Sequence, residues 1–177
     1  MVSSLISDGY LDEQKLLHEQ SAYGSRGYNW AYLVAGIAKV EGCASVLDYG
    51  CGKGTMGRTL RKSGVSVSDY DPAIKSASVP PAVAADLVTC VDVLEHIEPD
   101  CLDAVLNHIA ACTRKILFVA ISTRPAKRWL TDGRNTHLIV ESGDWWRPKF
   151  EERGFTVRRV WETALPEWVA MMEKRGR

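Results

Sequence analysis

Apolar residues along the chain fall into two rhythms that take turns. Trp30, Leu33, Val34, Ile37 and Ala38 recur at i, i+3, i+4, i+7 and i+8, the spacing of one helix face, and Gly42 ends the pattern. The same rhythm returns over 55–62, with Gly64 as a C-cap candidate, and in Leu102, Val105, Leu106, Ile109 and Ala110 after Pro99-Asp100, a helix start. Residues 141–153, carrying Trp145, Trp146 and Phe150, form another helical stretch that Gly154 stops. A shorter, polar helical piece spans 11–20. Between these lie short β-type runs at 45–48, 65–70, 86–93, 115–122 and 155–160. The runs at 86–93 and 115–122 are almost continuously apolar, as strands covered on both faces are.

Strands that alternate with helices predict an α/β architecture: a doubly wound, mainly parallel sheet. No internal repeat or composition break divides the chain, so residues 1–177 read as one domain. Within it, 1–44 is a helical segment placed to act as a lid, with Tyr23, Arg26, Tyr28 and Trp30 as its contact residues, and 45–177 is the core.

Composition narrows the class. An apolar fraction of 46% and a charged fraction of 25% suit an ordinary globular domain. No apolar run approaches the roughly 20 residues that span a bilayer. The first ten residues lack a basic n-region and an apolar h-region, so no signal peptide is expected and a cytoplasmic location follows by default. Five cysteines (43, 51, 90, 101 and 112) with no C-x-x-C pair read as reduced thiols, not as a zinc knuckle or a disulfide framework. The net charge is zero but uneven. Residues 1–112 hold 8 Lys/Arg against 14 Asp/Glu, and residues 113–177 hold 14 against 8. The C-terminal part is therefore the part suited to face an anion, although the charge is too sparse for strong non-specific binding to duplex nucleic acid.

The chemistry concentrates in Val46-Leu-Asp48-Tyr49-Gly50-Cys51-Gly52-Lys53-Gly54-Thr55, an apolar strand that ends in an acid and breaks into alternate glycines before a helix. Such a turn brings backbone close to a nucleoside-bearing cofactor. A phosphate-binding P-loop needs a glycine at position 47 and Ser or Thr after Gly52-Lys53; Leu47 and Gly54 stand there instead. Gly52-x-Gly54-x-x-Gly57 with Asp71 satisfies the dinucleotide pattern, but only 106 residues follow Asp71, too few for a separate substrate domain.

Asp48-x-Gly50-x-Gly52-x-Gly54 resembles motif I of the class I S-adenosylmethionine-dependent methyltransferases. Asp71, at the end of the second strand, matches the ribose-binding acid of that family. Residues 86–97, Asp-Leu-Val-Thr-Cys-Val-Asp-Val-Leu-Glu-His-Ile, match its fourth strand and following turn. The resemblance covers about 45–160 in the expected order. It implies a Rossmann-like methyltransferase fold and S-adenosylmethionine as cofactor. The cofactor residues would be Asp48, Tyr49, Gly50, Cys51, Gly52, Gly54, Tyr70, Asp71, Pro72, Asp92 and Val93. In this scheme the helix beginning near Thr55 offers free N–H groups to the cofactor carboxylate, and Asp71 accepts both ribose hydroxyls. One departure stands out. The family places a helix and a third strand between the ribose acid and the fourth strand, yet only 14 residues separate Asp71 from Asp86, so the middle of the fold is shortened.

Methyl transfer from a sulfonium is an in-line displacement that needs positioning and, for an O or N nucleophile, removal of a proton. Asp92, His96 and His137 are the candidate catalytic residues, with His137 as general base because histidine titrates in the useful range. The acceptor would be a small-molecule or nucleotide-like compound. Arg124-Pro-Ala-Lys127-Arg128-Trp129 mixes cations with an aromatic, a combination that can hold a phosphate and stack a ring. Asp92-x-x-Glu95-His96 with His137 also resembles the metal-binding set of the small-RNA 3′-terminal 2′-O-methyltransferases, except that the first position there is usually Glu. That resemblance implies Asp92, Glu95, His96 and His137 as metal ligands, an alternative to a metal-free site. A cofactor-binding protein without catalysis is the rival from a different class.

Overall fold

The structure is a computed structural model and describes residues 4–176. Six strands form one sheet in the order β2-β1-β3-β4-β6-β5: β1 Ser45–Tyr49, β2 Ser66–Tyr70, β3 Ala85–Val91, β4 Thr113–Ser122, β5 Phe155–Trp161 and β6 Glu167–Lys174. The β1/β2, β1/β3 and β3/β4 pairs are parallel, while β6 runs antiparallel to both neighbours, β4 and β5. One strand alone is therefore reversed in a mainly parallel sheet. The helices are α1 Asp8–Glu19, α2 Ala31–Val40, α3 Thr55–Lys62, α4 Leu102–Cys112 and α5 Gly143–Glu151.

Side-chain alternation in the strands sorts the core into two layers. Leu117, Val119 and Ile121 of β4 join Val88 and Cys90 of β3 beneath Val105, Leu106 and Ile109 of α4 and Trp146 and Phe150 of α5. Ile116, Phe118 and Ala120 point the other way, with Val46 and Leu87, onto Val34 and Ile37 of α2 and Met56 and Leu60 of α3. Each fully buried Leu, Ile or Phe contributes about 1.5–3 kcal/mol of transfer free energy. β3 is buried at all seven positions, as its unbroken apolar run requires. The sheet is thus wound on both faces.

The shortened middle is real in space. After β2 the chain makes only a short 3-10 turn, Lys75–Ala77, before entering β3. β2 is consequently an edge strand, and its polar alternation (Ser66, Ser68) suits an edge. The sequence reading stops at residue 160, whereas the structure adds β6. Trp168–Met172 is a short apolar run rich in helix-forming Ala and Met, and periodicity cannot tell such a run from a buried helix. Its insertion between β4 and β5 settles the matter.

α1 does not join either layer. Its Tyr10 and Leu17 form a small cluster with Leu130 of the long loop after β4. This places α1 over the carboxyl ends of the parallel strands, where ligands of open α/β sheets bind. Among the described residues, no helix is long and apolar enough to cross a membrane. All five cysteines are free thiols.

Candidate active site

The carboxyl ends of β1, β2 and β3, the glycine turn, the strap from α1 to Gly27 and the loop 122–137 enclose a cavity of about 410 Å³. Asp48, Tyr49, Gly50, Cys51, Tyr70, Asp71, Pro72, Asp92, Val93, His96 and His137 all line it. Gly52 and Gly54, expected among the cofactor residues, do not line it. They are structural parts of the turn.

Gly50 and Gly52 have φ of +75° and +50°, a region that residues with a Cβ adopt at a cost. A Cβ on Gly50 would lie 2.2 Å from Val93 Cγ2, and one on Gly52 would lie 2.5 Å from the Gly24 carbonyl oxygen. Gly52 thus lets the N-terminal strap approach. Gly54, at φ +64°, is the N-cap of α3. The turn's own N–H groups are already partnered: Gly50 and Cys51 donate to the Tyr70 carbonyl, Gly52 to Asp71 Oδ2 (3.0 Å), and Lys53 to the Gly24 carbonyl (2.7 Å). The glycine turn itself is thus knitted to β2 and to the strap. Thr55 Oγ1 donates to the Ser25 carbonyl and Lys53 Nζ to the His18 carbonyl, extending the same seam.

Asp71 sits where the chain leaves β2. Its two oxygens accept from the Gly52 and Ala73 N–H groups, and His18 Nε2 stands 3.8 Å from Oδ2. A carboxylate offers about four lone-pair directions, so acceptor capacity is left for a ligand's hydroxyls. Asp48 is buried at the end of β1 and accepts from Thr89 Oγ1 at 3.2 Å. Burial, then the nearby Asp69, push its pKa up to about 7.

At the other end of the cavity, His96 and His137 meet edge to face, with ring centroids 4.7 Å apart. His96 Nδ1 lies 2.7 Å from the Thr136 carbonyl and His137 Nδ1 lies 2.7 Å from the Arg124 carbonyl. A carbonyl only accepts, so each Nδ1 carries a proton, and Nε2 is the nitrogen left to face a ligand. Burial, reinforced by the neighbouring His137, holds the His96 pKa down to about 3. Asn135 sets this loop: its Oδ1 accepts from the Ala126 and His137 N–H groups and its Nδ2 donates to the Ala126 carbonyl.

Glu95 is fully buried. Its Oε1 accepts from the Ser122 N–H at 2.9 Å, while Oε2 has no hydrogen-bond partner among the described residues. Burial and the adjacent Asp92 raise its pKa well above the ordinary carboxylate range. Ligand atoms of Glu95, His96 and His137 lie within 4.8 Å of one another, spacing that could hold a metal ion. Asp92 lies beside Glu95 and also meets Arg26: at φ +56° it places Oδ1 3.2 Å from Arg26 Nη1. Three of the four residues of the alternative metal set therefore converge within that spacing, and Asp92 is not among them.

The strap meets the lid expectation in part. Tyr23 and Arg26 line the cavity, whereas Tyr28 is largely exposed and Trp30 packs on Phe118 at 5.7 Å. Trp129 is exposed too, so the aromatic beside the basic loop is Tyr23, over which the Arg128 guanidinium stands at 5.6 Å. Sequence reasoning left out Tyr10, Gln14 and His18, which reach the cavity from α1. Their i, i+4, i+8 spacing was the signal that could have found them.

The fold and this site define a class I, S-adenosylmethionine-dependent methyltransferase. The family model described as a methyltransferase domain matches residues 15–160, and the chain belongs to that family. Solved structures agree in fold. The chain is similar to magnesium protoporphyrin IX methyltransferase from Synechocystis PCC 6803 with bound SAH, at 15% identity and a TM-score of 0.65, covering 94% of this chain and 95% of that one. It is also similar to 1,6-didemethyltoxoflavin-N1-methyltransferase from Burkholderia thailandensis (15%, TM-score 0.69, 95% and 89%) and to a DhpI–SAH complex (17%, 0.67, 97% and 100%). No curated protein matches the chain in sequence.

Proposed function

We propose that the protein transfers the methyl group of S-adenosylmethionine to a small-molecule or nucleotide-like acceptor seated between α1 and the loop 122–137. The observation that carries this reading is the continuity of one cavity from Asp71, past Gly50, to His96 and His137. When bound, the cofactor supplies an electrophilic methyl group on a sulfonium. Asp71 would hold the ribose hydroxyls, and Tyr70, Pro72 and Ala73 would flank the adenine. Gly50, without a Cβ, lets Val93 close on the turn, and the methionine portion would lie beside the two. The strap excludes water from above.

His137 is the residue suited to accept the acceptor's proton. Its Nδ1–H is anchored on the Arg124 carbonyl, which leaves Nε2 as the base. His96, held neutral by burial, orients its partner and the acceptor without taking the proton. Loss of turnover in His137→Gln with unchanged affinity for S-adenosylhomocysteine tests this assignment; full activity in the variant would refute it.

The convergence of one ligand atom each from Glu95, His96 and His137 favours a second reading, in which a divalent ion bound there would activate the acceptor's hydroxyl. Mixed N and O ligands suit Mn²⁺, Fe²⁺, Co²⁺ or Zn²⁺, and carbonyl-anchored Nδ1 atoms are the usual support of metal-binding histidines. Elemental analysis of protein purified without chelator decides between them. Stoichiometric metal that is lost in His96→Ala supports the ion, and metal-free protein with activity unchanged in EDTA excludes it.

A further inference from the structure

We infer that the acceptor is an amphiphilic anion whose phosphate or carboxylate group is seated by Arg124, Lys127 and Arg128. The inference rests on the methyl-transfer reading of the same cavity and names the class of its substrate.

All three side chains line the cavity on its acceptor side. Three cations in five residues lack counter-charges: among the described residues, none of the three forms an ion pair. The acids that approach this loop are engaged elsewhere. Glu13 accepts from Thr131, and Asp132 pairs with Arg134 at 2.6 Å. Arg128 is nevertheless held in place, by neutral groups alone: Nη1 donates to Gln20 Oε1 at 2.8 Å and the guanidinium lies over the Tyr23 ring. An arginine fixed by an amide and an aromatic face keeps its charge and most of its donors for a ligand. Three other arginines of the chain contrast with it. Arg61, Arg153 and Arg158 each meet a carboxylate within 3 Å.

Apolar side chains of the same cavity supply the rest of the ligand's complement: Leu5, Ile6, Tyr10 and Ile97 line it as well. The cationic loop is also coupled to the base: the Arg124 carbonyl that fixes His137 Nδ1 belongs to the residue that begins the anion seat. An anionic group docked on 124–128 would thereby set where the nucleophile lies relative to His137 Nε2. Charge-assisted bonds to Arg and Lys are the strong class of hydrogen bond, and Arg adds a planar fork that matches both oxyanion types.

The test is calorimetric titration of the S-adenosylhomocysteine-loaded protein with inorganic phosphate and, separately, with succinate. We expect saturable binding of at least one anion, weakened by about tenfold or more in the Arg124→Gln/Lys127→Gln double variant, and unchanged in Arg158→Gln/Arg159→Gln, which neutralises two cations of β5. Phosphate binding alone assigns a phosphorylated acceptor, and succinate binding alone a carboxylated one. Equal affinity in the wild type and the 124/127 double variant, or no anion binding below about 50 mM, would overturn the inference. Retained binding of S-adenosylhomocysteine by the variant shows that it is folded. Failure of the wild type to bind S-adenosylhomocysteine would instead strike the methyl-transfer reading.

Discussion

His96 and His137 stand edge to face with centroids 4.7 Å apart, each with Nδ1 tied at 2.7 Å to a backbone carbonyl of the loop that follows β4. Forty residues of sequence separate them, and the loop 122–137 folds back to close that gap. The pairing gives the two rings different work. His137→Gln should lower kcat by about 10²–10⁴. In the metal-free case His96→Gln should cost less, because a ring kept neutral by burial is a poor base. Equal losses in both variants, together with lost metal, would favour the ion instead. Steady-state kinetics paired with elemental analysis of each variant makes the distinction.

Asn135 makes three hydrogen bonds that hold the loop around His137. Each is worth about 0.5–1.5 kcal/mol net. Asn135→Ala should lower stability by about 1–3 kcal/mol and depress kcat, while affinity for S-adenosylhomocysteine, bound at the far end of the cavity, stays within about twofold. Denaturant unfolding and ligand titration on the same preparation check both parts.

Asp48 gives a pH signature with a definite sign. Its folded pKa of about 7 lies above the ordinary 3.8, so between about pH 4 and 7 the folded state holds a proton that the unfolded state releases. Its contribution to stability is full below about pH 4 and is lost as pH rises through 7. Asp48→Asn should flatten the stability profile over that window by a difference on the order of 1 kcal/mol per pH unit. Melting temperatures of wild type and variant at pH 5, 6 and 7 measure it; parallel curves would mean that Asp48 is ionised throughout.

Gly50→Ala places a methyl group 2.2 Å from Val93 Cγ2 at a φ of +75°. The strained backbone alone costs about 1–3 kcal/mol, and the displaced Val93 narrows the cavity. Weaker binding of S-adenosylhomocysteine and a lower Tm are expected together, read by titration and by thermal unfolding.

Much of this was legible in the sequence because the deciding signals are local. Five of six strands, the five α-helices and the shortened segment after Asp71 follow from local pattern and from the spacing of Asp48, Asp71 and Asp86. What escaped depends on contacts distant along the chain. The close approach of Gly24 to Gly52, which only a residue without a Cβ allows, is not written in the glycine motif. Trp129 looks like the aromatic partner of the basic loop until Tyr23 arrives from the N-terminal strap. β6 is unreadable in isolation, since Trp168–Met172 becomes a strand only by pairing with β4 and β5 on either side. Asp92, three residues before Glu95 in the motif, also meets Arg26, sixty-six residues away.

A crystal structure of the protein with S-adenosylhomocysteine bound tests the central claim most directly. The prediction is ribose hydroxyls on Asp71, the homocysteine portion beside Gly50, and the sulfur's open side facing the space in front of His137. Density for the ligand elsewhere, or a ribose that leaves Asp71 bonded only to Gly52 and Ala73, would contradict it.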